Sequence, residues 1–198
     1  MDRIKTAYEK AMEKIEQMGE ASEEELMRLK YVPEGEKLAA DYLKEESNIV
    51  TELNKYQAEA RKYVAKGAEA ILLRYIELPR NEVAKRTTKR AMEGIKALKK
   101  DKAALANIYT QMRRIFSHYE EQGEQQRGQV YQNLRSEFEA NLRQALQQQM
   151  GPLTARDMRL NVESHPQFQT EWRKALAQLD SQYVKLLDEY KQEIARIP

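Results

Sequence analysis

Residues 124–152 read EQQRGQVYQNLRSEFEANLRQALQQQMGP. Eight glutamines before the closing Gly-Pro give the stretch the look of low-complexity filler. Its apolar residues nevertheless keep a phase. Leu134, Phe138, Leu142, Ala145 and Gln149 lie three or four apart, one stripe on a helix. Most of the glutamines fall off that stripe. Glu139 precedes Arg143 by four residues, the favourable order for an ion pair along a helix. Disordered glutamine tracts lack such a phase. The segment therefore reads as a helix with a thin apolar side, one that orders against a neighbour.

The same thinness runs through the 198 residues. Apolar residues make up 41%, but alanine supplies much of that, with three Phe and one Trp. Such a composition fills a narrow seam between helices better than a thick interior. The dominant residues are strong helix formers, and seven Gly with five Pro leave few turns. Acids nearly cancel bases, for a net charge of +2, unlike a dedicated nucleic-acid binder or an acidic tail. There is no cysteine, hence no disulfide and no thiolate metal site. No apolar run approaches the ~20 residues of a membrane span. The first twenty residues carry glutamates throughout and no continuous apolar core, so neither a signal nor a transit peptide is expected. Cytoplasmic residence is the expectation.

Working outward, Ile4, Tyr8, Ala11, Ile15 and Met18 form a first helical stripe that Gly19 can stop. Ser22 and Glu25 have the spacing of a capping box, opening a short helix with Leu26 and Leu29. YVPEG, residues 31–35, reads as a turn. From about 36 to 78 the stripe Ala39, Tyr42, Glu46, Ile49, Leu53, Tyr56, Ala60, Tyr63, Gly67 and Ala70 predicts one helix of about 60–65 Å. Packing is expected to loosen at Glu46 and Gly67, and Pro79 to end the helix. Asn81 should cap the next, whose stripe runs Ala84, Thr87, Ala91, Gly94, Leu98, Asp101, Leu105, Ile108, Met112, Ile115 and Tyr119. The short link predicts an antiparallel hairpin of these two long helices. A bend is expected near 121–128, at Gly123 and Gly128. Gly151-Pro152 should close the glutamine-rich helix, and Thr154 and Asp157 could cap a short turn. His165-Pro166 should start a last helix with Trp172, Leu176, Leu179, Tyr183, Leu186, Tyr190 and Ile197 on its stripe and Glu193 as a polar step.

The predicted fold is all-α: an elongated antiparallel helical bundle or coiled coil with two long hairpin helices. Short helices occupy 1–30 and the hairpin 36–120. The helices of 129–198 pack on it or on a partner chain, as one structural unit. So few large side chains make a lone hairpin marginal, because ordering costs about 1–2 kcal/mol per residue. A homodimer is expected.

No residue presents itself for catalysis. His118 and His165 are the two histidines. A di-iron bundle needs glutamate three residues before a histidine, where this chain has Ile115 and Val162. No H-E-x-x-H, Walker loop, G-x-G-x-x-G or G-x-S-x-G occurs. His118 is expected to pair with Glu121, and His165 to serve as a cap. No metal or cofactor site is expected. The strongest local signal is basic: ten cations and two acids lie between Lys85 and Arg114. On one long helix Lys85, Lys89, Lys96, Lys100 and Arg114 would form a ridge of about 40 Å that could hold a polyanion. It lacks the aromatics that stack single-stranded bases, and acids such as those of residues 20–25 could balance it. Tyr42, Tyr56 and Tyr63 on one stripe are expected as core, since a phenol buries its ring and keeps its hydroxyl near water.

KTAYEKAMEKIEQMGEASEEEL (5–26) with YVPEGEKLAADYL (31–43) resembles the opening of small uncharacterised bacterial all-helical proteins. The resemblance implies a bacterial, cytoplasmic chain and assigns no functional residue. The expected function is that of a non-catalytic scaffold or adaptor with an unidentified protein partner. The alternatives are a nucleic-acid binder using the basic ridge and, third, a bundle enzyme.

Overall fold

Local caps set most of the helix starts. In the computed structural model, which describes residues 9, 22–44, 47–150 and 161–198, Ser22 and Glu25 form the predicted capping box and open α1, Glu23–Leu43. Asn48 accepts from the backbone of Val50 and Thr51 and opens the short α2, Ile49–Leu53. α3 spans Ala58–Arg74. Asn81 accepts from Ala84 N at 2.8 Å, as expected, and starts α4, Glu82–Leu98. Asp101 caps α5, Lys102–Met150, through Ala103 and Ala104. Pro166 begins α6, Pro166–Arg196, preceded by a 3-10 turn at Val162–Ser164. The protein is all-α, with six helices and no strand among the described residues. None of these helices is long and apolar enough to cross a membrane.

The helix boundaries correct the expected hairpin. The single helix over 36–78 is divided among α1, α2 and α3, and the next one breaks at 99–101. Asp101, the odd member of its stripe, is there to cap rather than to pack. YVPEG is no turn, because α1 runs through Pro33. A proline within a helix forfeits a backbone bond, at a cost of about 3 kcal/mol. Packing of Gly35, Leu38 and Ala39 carries the helix past it. The expected bend at Gly123 and Gly128 is absent as well: α5 is continuous there. A helical glycine costs only about 1 kcal/mol against alanine, less than tertiary packing returns. The glutamine-rich stretch is helical up to Met150, as its phase predicts. The first stripe and its stop at Gly19, the loosening at Glu46 and the turn at 154–157 fall outside the described residues.

The chain forms two compact units, Met1–Tyr109 with Lys191–Pro198, and Thr110–Tyr190. In the first, α1 crosses α3 at backbone contact. A Cβ on Gly35 would stand 1.9 Å from Val64 O, and one on Gly67 would stand 2.1 Å from Val32 O. Gly67 therefore lies, with Gly35, at a backbone-to-backbone crossing, where loosening was expected. Both helices carry Val-x-x-Gly, and each glycine rests on the valine carbonyl of the other helix. α3 stops five residues before Pro79. Ile76 and Leu78 are then buried, and the Thr88 hydroxyl accepts from Glu77 N at 3.0 Å. Tyr42 and Arg90 tie α1 to α4: Nε donates to Tyr42 O, and the phenol donates to Arg90 O. Burial lifts the Tyr42 phenol above its ordinary pKa.

One ion pair sits inside this unit. Lys99 is 5% exposed and lies 2.8 Å from Glu69, and it also donates to Ile197 O. Burial raises the Glu69 carboxyl above its usual value, while Lys99 and Lys66 pull the other way.

Candidate functional site

In the second unit the facing parts of α5 and α6 run antiparallel, as their ring contacts require. Tyr119 meets Tyr183 edge-on at 5.1 Å, Tyr131 meets Trp172 at 5.1 Å, and Phe138 meets Phe168 at 5.8 Å. Residue numbers rise along one helix as they fall along the other. The Tyr131 hydroxyl donates to Glu163 at 2.9 Å, and that bond raises the phenol's pKa. His165 Nδ1 accepts from Gln167 N at the start of α6, the expected capping role, and its ring lies against Phe138.

Two helices cannot enclose an apolar seam by themselves, and here one side stays open. A groove of about 710 Å³ is lined by Gln111, Arg114, Ile115, His118 and Gln126 of α5, and by Gln178, Leu179, Gln182, Tyr183, Leu186 and Tyr190 of α6. Its floor is apolar, with Leu186 45% exposed. Four glutamine amides stand on its rim, and Arg114 is the one fixed charge among the described residues that line it. His118 Nδ1 shares a hydrogen with the Tyr183 hydroxyl at 2.9 Å, in place of the expected pairing with Glu121. The bond holds the Tyr183 ring against the groove wall. Gly123 leaves room for the Arg127 guanidinium, which lies 4.1 Å from the Tyr119 ring centre.

This arrangement corrects the stripe expected on α6. Leu187 is 2% exposed and Ile194 fully buried, whereas Leu186 and Glu193 of the predicted stripe are exposed. The buried Asp180, Leu187 and Ile194 are themselves seven apart, so the buried line is a different face, one position or about 100° round from the predicted stripe. The heptad seam Leu179, Tyr183, Leu186 and Tyr190 is real, but it faces the groove.

The basic ridge is not continuous. Lys85, Lys89 and Lys96 share an exposed face of α4, by their spacing of four and seven, and Lys85 is already 2.8 Å from Glu82. Lys100 lies beyond the end of that helix, with its backbone N–H on Pro198 O. Arg114 belongs to α5 and the other compact unit, where its guanidinium is 3.5 Å from Gln111. The single helix expected to carry the 40 Å ridge is divided, because Asp101 starts a new one.

Sequence reasoning missed the groove's rim and the His118–Tyr183 bond. Gln178 and Gln182, four apart beside a heptad seam, were a readable signal. A bond between residues 65 apart left none. Among the described residues no group of three His or acidic side chains is placed to hold a metal.

No curated protein and no solved structure matches the chain significantly. A family model does match, over residues 50–196, so the relationship lies in the body of the chain and not in the first 45 residues on which the bacterial resemblance rested. With three quarters of its length covered, the chain belongs to the family of unknown function DUF6657.

Proposed function

We propose that the protein is a non-catalytic structural and interaction protein that docks a helix in the groove between α5 and α6. The observation that carries this reading is a heptad seam left half-buried, with Leu186 exposed. Leu179, Leu186 and Tyr190 of α6, with Ile115 of α5, give an apolar floor open to water. A helix laid into such a groove buries one of its faces, a common mode of helix recognition. The lining supports binding better than chemistry: amides, phenols and aliphatic groups recognise, and His118 is engaged by Tyr183.

The test compares the wild-type chain with Leu186→Glu against a partner captured on the immobilised wild type. Leu186 is exposed, so the charge should leave circular dichroism unchanged while capture falls about tenfold or more. Equal capture by both proteins would reject the groove.

Polyanion binding is a second reading. Its support is three lysines on one face of α4, Lys85, Lys89 and Lys96. Three phosphate contacts give a shallow salt dependence, roughly a third of the slope of a ten-contact binder.

A further inference from the structure

The last residues of α6 belong to the first unit, yet little of them is buried there. Lys191–Pro198 count with Met1–Tyr109, although they follow directly on Tyr190 of the second unit. Ile194 is fully buried, whereas Gln192, Glu193, Ala195, Arg196 and Pro198 are exposed. The segment meets the corner between α4 and α5. The Lys99 ammonium donates to Ile197 O, and the Lys100 N–H donates to Pro198 O at 3.0 Å. Both carbonyls lie at the end of α6, where the helix offers them no donor of its own.

The corner has bonds of its own that do not involve this segment. Lys99 N donates to Ile95 O, the Lys102 ammonium donates to Lys96 O, and Asp101 caps α5 through Ala103 and Ala104. Opposing effects decide how readily the segment leaves. Leaving exposes Ile194 and breaks the bonds to Ile197 O and Pro198 O. It also opens to water the Lys99 ammonium, 5% exposed, and the Glu69 carboxylate 2.8 Å from it. Holding two charges away from water is costly even for a well-placed pair, so their rehydration offsets part of the loss. An element with one deeply buried side chain and a hydration gain on opening needs less free energy to open than the whole unit needs to unfold.

We infer that Lys191–Pro198 form a strap that opens as one element while α1, α3 and α4 stay folded, with Lys99 as its catch. Closed, the strap covers the Lys99 ammonium. Open, it presents that ammonium and the Glu69 carboxylate at the surface, so the device switches one lysine between an inert and a reactive state.

The test treats the full chain with an amine-reactive ester, and peptide mass spectrometry reads the labelling of Lys99 against that of the exposed Lys89. Lys99 should react more slowly than Lys89. Its rate should stay level in urea below the unfolding midpoint, because strap opening exposes little surface. Ile194→Ala should raise the Lys99 rate about thirtyfold or more by removing the strap's buried side chain. Val64→Ala, at the Gly35 crossing, should lower the urea midpoint and leave the Lys99 rate below that midpoint unchanged. A Lys99 rate that rises with urea as steeply as global unfolding would overturn the strap, since the whole unit would have to unfold first. Equal acceleration by Val64→Ala and Ile194→Ala would overturn it as well. A wild-type Lys99 as reactive as Lys89 would overturn the catch.

Discussion

Replacing Gly35 with alanine puts a methyl carbon 1.9 Å from Val64 O and 2.9 Å from Ala68 N. Both obstacles are backbone atoms of α3, so no rotamer change relieves them. Reaching an ordinary contact of about 3.4 Å requires the helices to part by about 1.5 Å, and overpacking on that scale costs about 1–3 kcal/mol or more. Against this stands the helix-propensity gain of alanine over glycine, about 1 kcal/mol. The packing term wins, because the separation also loosens Leu38, Ala39, Val64 and Ala68, each buried beside the crossing. A net loss of about 2 kcal/mol lowers the melting temperature by about 4–8 °C in a chain of this size. Gly128→Ala is the internal control. Nothing lies within 4 Å of its would-be Cβ, so the same change should stabilise the chain by up to about 1 kcal/mol. Thermal and denaturant unfolding followed by circular dichroism reads both variants. A Gly35→Ala protein as stable as wild type would refute the backbone-contact crossing, and a destabilised Gly128→Ala would refute the use of propensity as the opposing term.

Lys99→Met leaves Glu69 half-buried beside an apolar chain and removes the bond to Ile197 O, and it should cost about 3 kcal/mol. The double variant Lys99→Met with Glu69→Leu should recover most of that loss in denaturant melts. Additive losses would mean the two residues are not coupled. The pH dependence of the pair follows from the raised Glu69 carboxyl. The folded chain holds its proton more tightly than the unfolded chain, so the stability tied to Glu69 is full below its ordinary value of 4.5 and declines as pH rises through the raised folded value. Relative to Glu69→Gln, the wild type should therefore lose stability across that window, and a relative gain would contradict the burial argument.

How far the sequence could be read depends on the range of the interaction concerned. Ser22 with Glu25, Asn81, and Pro166 after His165 were legible because a cap closes its hydrogen bonds within about four residues. The phase of Leu134, Phe138 and Leu142 marked a helix for the same reason. The seam at Leu179, Tyr183, Leu186 and Tyr190 was legible as a stripe, though not as the stripe left open to water. Leu187 is the buried neighbour, and one helical position, about 100°, separates the two faces.

Sequence by itself thus determined the all-α class, three of the six described helix starts and the absence of a familiar catalytic motif. Tertiary structure alone decided that α1 continues through Pro33, that α5 continues through Gly123 and Gly128, and that Gly35 and Gly67 mark a backbone-to-backbone crossing. It also decided that Glu69 meets Lys99 and His118 meets Tyr183. Propensity differences of about 1 kcal/mol per residue set local preferences, and the packing of whole helix faces outweighs them. Which faces meet is a property of residues far apart in the chain, and no window of sequence contains it.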